Sequence, residues 1–143
     1  MGNVKAQTLI PFSFAQSSHG GTLDTVKGER VMGFPEVITL LPEADMQLEG
    51  IRAWVLQGEK HQLVFFEMEP SARVPEHSHD YPQWGMVIEG KMELVIYGEP
   101  RICKKGDEYV IPAHAKHYAR FLSKSRLVDL FSEKNRYRLK SIK

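Results

Sequence analysis

The chain has a single cysteine, Cys103, and no excess of charge of either sign. One thiol forms no disulfide within the chain, which agrees with a reducing compartment. Lys and Arg number 19 against 18 Asp and Glu, and a formal charge of +1 supplies no field of the kind that gathers nucleic acid. No apolar run approaches the roughly 18 residues that span a bilayer. The opening MGNVKAQTLIPF has one Lys and too short an apolar stretch for a secretory signal. The expectation is a cytoplasmic protein with neither a nucleic acid nor a membrane as partner. The sequence also lacks a repeat at any fixed period, which excludes propellers and solenoids, and it lacks an amphipathic helix of any length.

What is present describes one ordinary domain: 143 residues, 42% hydrophobic and 26% charged, enough to bury a core. Residues 1–48 read as an N-terminal arm and irregular segment. A short apolar run at Leu9 to Phe14 is followed by a stretch rich in Ser, Gly and Thr. PEVITLLPEADM is either a short strand or one helical turn, because so brief a run has no decisive period. From Glu49 the pattern changes to runs rich in Val, Ile, Phe, Tyr and Trp, separated by Gly, Pro or polar pairs. About nine such runs follow, joined by turn signals such as GEK, YGEP and KKGD, and they imply antiparallel hairpins in a β-sandwich or barrel over residues 49–132. Residues 133–143 read as a C-terminal tail.

His77 and His79 lie two apart on an expected strand, so both imidazoles point to one side and can share a metal ion. Gln83, if it resumes the inward face with Gly85 and Val87, brings an amide oxygen to the same place. His117 shares a face with Ala119 and Phe121 and is the obvious fourth ligand. Imidazole nitrogen with amide oxygen suits one divalent first-row ion, Fe, Mn, Ni or Zn, better than Ca. By itself, a His-x-His pair on a strand is more often a surface or core feature than a ligand pair. Asp129 alternates with Leu127 and Phe131 on one face. Turned inward it is a buried carboxylate able to serve as a general acid or base; turned outward it pairs with Arg126 or Arg120. Arg73 shares strand parity with His77 and His79 and so is placed to clamp a substrate carboxylate, although an exposed sheet arginine is equally ordinary. Trp84, Met86 and Ile88 read as outer packing and Cys103 as buried filler, while His19, His61 and His114 lack a partner at ligand spacing.

Two blocks of this sequence resemble the paired motifs of the cupin superfamily, small jelly-roll barrels that hold a metal. The first motif, G-x5-H-x-H-x3,4-E-x6-G, is met by His77, His79, Gln83 and Gly90; the second, G-x5-P-x-G-x2-H-x3-N, by Gly106, Pro112 and His117. Ser71, Gln83, His114 and Phe121 stand where the motifs have Gly, Glu, Gly and Asn. The resemblance implies an all-β fold, a single cupin jelly-roll β-barrel preceded by the N-terminal arm, with a metal held by His77, His79, Gln83 and His117. Gln in place of Glu is similar to the pectin-degradation cupins of the KdgF type, which open the ring of 4,5-unsaturated uronates. That type carries an Asp-x-Phe-Ser stretch and a nearby Arg, here Asp129, Phe131, Ser132 and Arg136, although Glu133 replaces its Pro and Asn135 stands at its Arg register. The resemblance thereby implies catalytic roles for Asp129, Phe131 and Arg136.

Four neutral ligands leave the charge of a divalent ion uncompensated, so the site favours an anion. The function expected is that of a metal-dependent enzyme acting on a small anionic sugar derivative. Alternatives are a non-haem dioxygenase of a small chelating substrate and a non-catalytic ligand-binding or sensory cupin. A homodimer is expected from the sheet edges that a jelly roll leaves open and from the apolar arm LIPFSF.

Overall fold

The computed structural model describes residues 25–26, 29–30 and 33–141. The chain divides into two compact units, Met1–Met32 and Gly33–Lys143. In the first, β1 (Thr25–Val26) pairs antiparallel with β2 (Glu29–Arg30). The apolar run Leu9 to Phe14 and His19 lie outside the described residues.

The second unit begins with α1 (Glu36–Thr39), a single turn that starts after Pro35, whose extended backbone suits the position before a first turn. The segment PEVITLLPEADM is therefore helical at its start. The strands follow as β3 (Ile51–Gln57), β4 (Gln62–Met68), β5 (Arg73–His77), β6 (Gln83–Glu89), β7 (Lys91–Ile96), β8 (Glu99–Lys104), β9 (Glu108–Ile111), β10 (His117–Phe121) and β11 (Ser125–Phe131). Gly90 and Gly98 adopt positive φ at the tight β6–β7 and β7–β8 turns, where a residue without Cβ carries no steric penalty.

Two antiparallel sheets result, one of five strands in the order β3-β4-β11-β6-β9 and one of four in the order β5-β10-β7-β8. Buried residues alternate strictly with half-buried ones along β4 and β6 and with exposed ones along β10, so one face of each sheet turns inward. The inner faces enclose a core that includes Val55, Val64, Phe66, Val87, Leu94, Phe121 and Leu127. This is the all-β jelly roll expected from the sequence.

Residues 33–48, assigned to the arm from sequence, belong to the same compact unit as the strands. Ala44 is buried, and bridges join Glu43 to Trp54 and Ala44 to Leu139. The C-terminal stretch also returns to the core. The buried Gln62 side chain donates to the Tyr137 carbonyl at 3.1 Å and accepts from the Tyr137 amide at 2.9 Å. The Tyr137 ring then packs edge-on against Phe66 and Phe131.

Candidate metal centre

Strand β5 ends at His77, and its register with β10 shifts: His117 faces His77, whereas Ala119 faces Val74. One residue on β10, Tyr118, therefore opposes two on β5, Pro75 and Glu76, a bulge on an edge strand, where the missing N–H of Pro75 is tolerated. The bulge separates the parity of His77 from that of Arg73. Val74 and His77 both face the interior cavity, and Arg73 is exposed outside it. The inward clamp read for Arg73 is thus corrected: the inserted residue invalidates parity counting across it.

His79 lies just beyond β5, in the turn leading to β6. Its orientation comes from contacts instead of strand alternation. Its carbonyl accepts from the His114 amide at 2.7 Å, and its ring stacks on Tyr81 at 4.3 Å with the planes 6° apart. The exposed His114 thereby contributes its backbone to the site, helped by a positive φ of 69°.

The three imidazoles share one local device. His77 Nδ1 lies 2.9 Å from the Pro75 carbonyl, His79 Nδ1 2.7 Å from the Tyr81 carbonyl and His117 Nδ1 2.8 Å from the Ala115 carbonyl. A carbonyl only accepts, so each Nδ1 carries a proton, and the neutral rings of His77 and His117 keep a lone pair at Nε2. Ligand atoms of the three rings lie within 4.8 Å of one another. Burial pushes His117 down to about 4 and lowers His77 as well, so both are neutral near pH 7, as metal ligands must be.

Gln83 is buried at the start of β6, on the inner face with Gly85 and Val87. Its Oε1 lies 3.2 Å from His79 Nε2, and its Nε2 donates to Asp129 Oδ2 at 3.2 Å. Asp129 turns inward from β11 and is 5% exposed. Arg126 and Arg120, its possible outer partners, instead pair with Glu89 and Glu93. The Tyr109 hydroxyl donates to Asp129 Oδ1 at 2.5 Å. Burial pushes the Asp129 carboxyl up to about 7, against the downward pull of its hydrogen bonds from Tyr109 and Gln83. Gly85 is required here by space alone, since a Cβ on it would collide with Asp129 Oδ1 and the Tyr109 ring.

Arg136 comes in from the C-terminal stretch. Its Nη2 lies 3.2 Å from His77 Nε2, and its guanidinium stands over the Phe131 and Tyr137 rings at 5.6 and 5.1 Å. Its Nε is buried without a hydrogen-bond partner. Phe131 faces the same cavity, which measures about 340 Å³ and is bounded by His77, Gln83, Asp129, His117, Arg136 and Tyr109 among others. Thus the structure gathers His77, His79, Gln83, His117, Asp129, Phe131 and Arg136, and leaves Arg73 outside.

Sequence reading passed over Tyr109 and Tyr137. The alternation of Tyr109 and Ile111 with Glu108 and Val110 marks Tyr109 as inward, but its meeting with Asp129 depends on both strands flanking β6.

Residues 64–131 match the family model Cupin_2, described as a cupin domain. Among solved structures, KdgF from a Halomonas species is 29% identical, with a TM-score of 0.60 over 66% of this chain and 87% of that one. An RmlC-like cupin from Shewanella frigidimarina NCIMB 400 is 22% identical, with a TM-score of 0.63 over 68% and 88%. A glycine variant of salicylate 1,2-dioxygenase from Pseudoaminobacter salicylatoxidans is 18% identical, with a TM-score of 0.55, and the match spans 58% of this chain but 26% of the dioxygenase. No curated sequence matches significantly. With the jelly roll and the inward histidines around it, the stretch 64–131 is a cupin domain. Among cupins the chain resembles the KdgF type.

Proposed function

We propose that this cupin is a metal-dependent enzyme that moves a proton on a small anionic oxygen substrate. The observation that carries the reading is the placement of a buried carboxyl, Asp129, one amide away from three convergent imidazole rings and facing the same cavity. His77, His79 and His117 through Nε2, with Gln83 through Oε1, are the residues that would hold a divalent first-row ion. Such an ion supplies Lewis-acid polarisation of a substrate oxygen.

The chain's own groups divide the remaining tasks. Arg136, with a spare donor at Nε, holds the substrate's negative charge. The Phe131 ring and the buried strand faces exclude water. Asp129, at about 7, exists in both protonation states near neutrality and can take a proton and return it. Tyr109 and Gln83 keep its two oxygens oriented.

Ring opening of a 4,5-unsaturated uronate is the particular reaction that the KdgF resemblance suggests. In it the hemiacetal hydroxyl loses its proton, the ring C–O bond breaks with its electron pair going to the enol oxygen, and the proton is returned there. The three-histidine set also supports a second reading, a dioxygenase of a chelating substrate. The test is to follow the absorbance of an unsaturated uronate, and oxygen consumption, with metal present and after chelation. Metal-dependent loss of absorbance without oxygen uptake supports the ring-opening reaction. Oxygen uptake favours the dioxygenase, and binding without turnover favours a sensory cupin. A homodimer remains part of the proposal, tested by the mass in solution.

A further inference from the structure

The cavity is divided by polarity. Apart from Glu76 and Tyr118 at its exposed rim, its polar lining side chains belong to the cluster around the histidines or to the Tyr109 and Tyr137 hydroxyls beside it. The strand registers show where the rest of the lining lies. On β10, Ala119 and Phe121 follow His117 by two and four residues, and their partners on β7 are Leu94 and Met92. On β11, Leu127 precedes Asp129 by two residues and faces Phe66 on β4, with Met68 two further along. At about 3.3 Å per residue, this layer runs roughly 7–13 Å away from the histidines along the barrel.

Phe66, Met68, Met92, Leu94, Phe121 and Leu127 all line the cavity there, and their side chains offer no conventional hydrogen-bond donor. Met46 and Leu48, from the segment preceding β3, add to the same wall. A buried hydroxyl left without a partner is unfavourable. A buried methylene is favourable. A polyhydroxylated body extending along this wall is therefore disfavoured, and a hydrocarbon body is favoured.

We infer that the ligand is an amphiphilic anion, with an oxygen head at the histidines and Arg136 and an alkyl or aryl body against the methionine- and leucine-lined wall. The inference rests on the proposed reading of the polar end as the anion site, and it sets the ligand's body apart from that of a uronate. The cavity volume of about 340 Å³ falls in the range of small-molecule pockets. The thioethers of Met68 and Met92 let the wall adapt to bodies of different outline.

Calorimetric titration of the metal-loaded protein with 3-phenylpropanoate, D-galacturonate and 3-phenylpropanol tests this. The expected result is that phenylpropanoate binds at least tenfold tighter than galacturonate and tighter than the uncharged alcohol. Leu94→Thr should narrow the ratio of the two acids several-fold by placing a hydroxyl in the wall, and the wild-type series decides the matter alone if that variant does not fold. Galacturonate binding as tightly as phenylpropanoate, or more tightly, overturns the inference and leaves the anion site standing. Binding of neither acid overturns both. Phenylpropanol binding as well as the acid removes the anionic head and with it the proposed function.

Discussion

Gln83 donates its amide Nε2 to Asp129 Oδ2 at 3.2 Å, and this leaves its Oε1 3.2 Å from His79 Nε2. The carboxyl therefore decides which way the amide points, because only an acceptor at Asp129 directs the NH2 inward and the oxygen toward the histidines. Tyr109 in turn fixes the carboxyl. Partners of this kind raise metal affinity by orienting the ligand.

Asp129→Ala should consequently weaken metal binding about 10–100-fold, the range seen for residues that orient ligands, quite apart from any effect on turnover. Competition against a chromophoric chelator measures this. Unchanged affinity would confine Asp129 to proton transfer.

Gln83→Glu adds a negative charge to the set of candidate ligands. It should tighten divalent metal binding and weaken anionic ligands, since the charge that attracts the anion is partly cancelled. Paired titrations with metal and with an anion read both effects, and equal or stronger anion affinity would contradict the charge argument.

Arg136 Nη2 donates toward His77 Nε2 at 3.2 Å, the lone pair that a metal would use. Guanidinium and metal compete for that atom, so Arg136→Ala should raise metal affinity, by up to about tenfold for an interaction of about 1.4 kcal/mol, while lowering anion affinity. A variant with metal affinity equal to or below wild type would show that the contact opposes nothing.

His117 and Asp129 drive the stability of the metal-free protein in opposite directions with pH. His117 sits at about 4 against 6.5 when unfolded, so the unfolded chain binds the extra proton between those values and stability rises with pH. Asp129 sits at about 7 against 3.8, so the folded chain binds the extra proton and its contribution, full below 3.8, is lost as pH rises through 7. Between pH 4 and 6.5 the wild-type profile should be shallow. Asp129→Asn removes the falling component, and its urea midpoint in the presence of chelator should rise with pH across that window. Parallel profiles for the two proteins would mean that Asp129 is not held protonated by burial.

Much of this site is legible in sequence because strand alternation is local. His117, Ala119 and Phe121 face inward as alternation requires, as do Gln83, Gly85 and Val87, and the turn residues Gly90 and Gly106 mark strand ends. What alternation cannot carry is an inserted residue. The bulge containing Pro75 turns Arg73 outward while leaving Val74 and His77 inward. Nor does a local pattern reveal partners that meet only through tertiary register. Gln62 reads as a polar residue at a strand start, yet its amide pins Tyr137 and so brings Arg136 to His77. Residues 33–48 look irregular because they lack a repeating pattern, and they find their place through Ala44 against β3 and Leu139.

The central claim is that three Nε2 atoms, presented by Nδ1 contacts to backbone carbonyls, make this a metal site. Elemental analysis of the purified protein beside His77→Ala tests it most directly. The account expects about one first-row metal ion per chain in the wild type and its loss in the variant, which removes one of the few ligands available. A wild-type protein that takes up no metal when supplied with it, or a variant that retains it undiminished, would contradict the assignment.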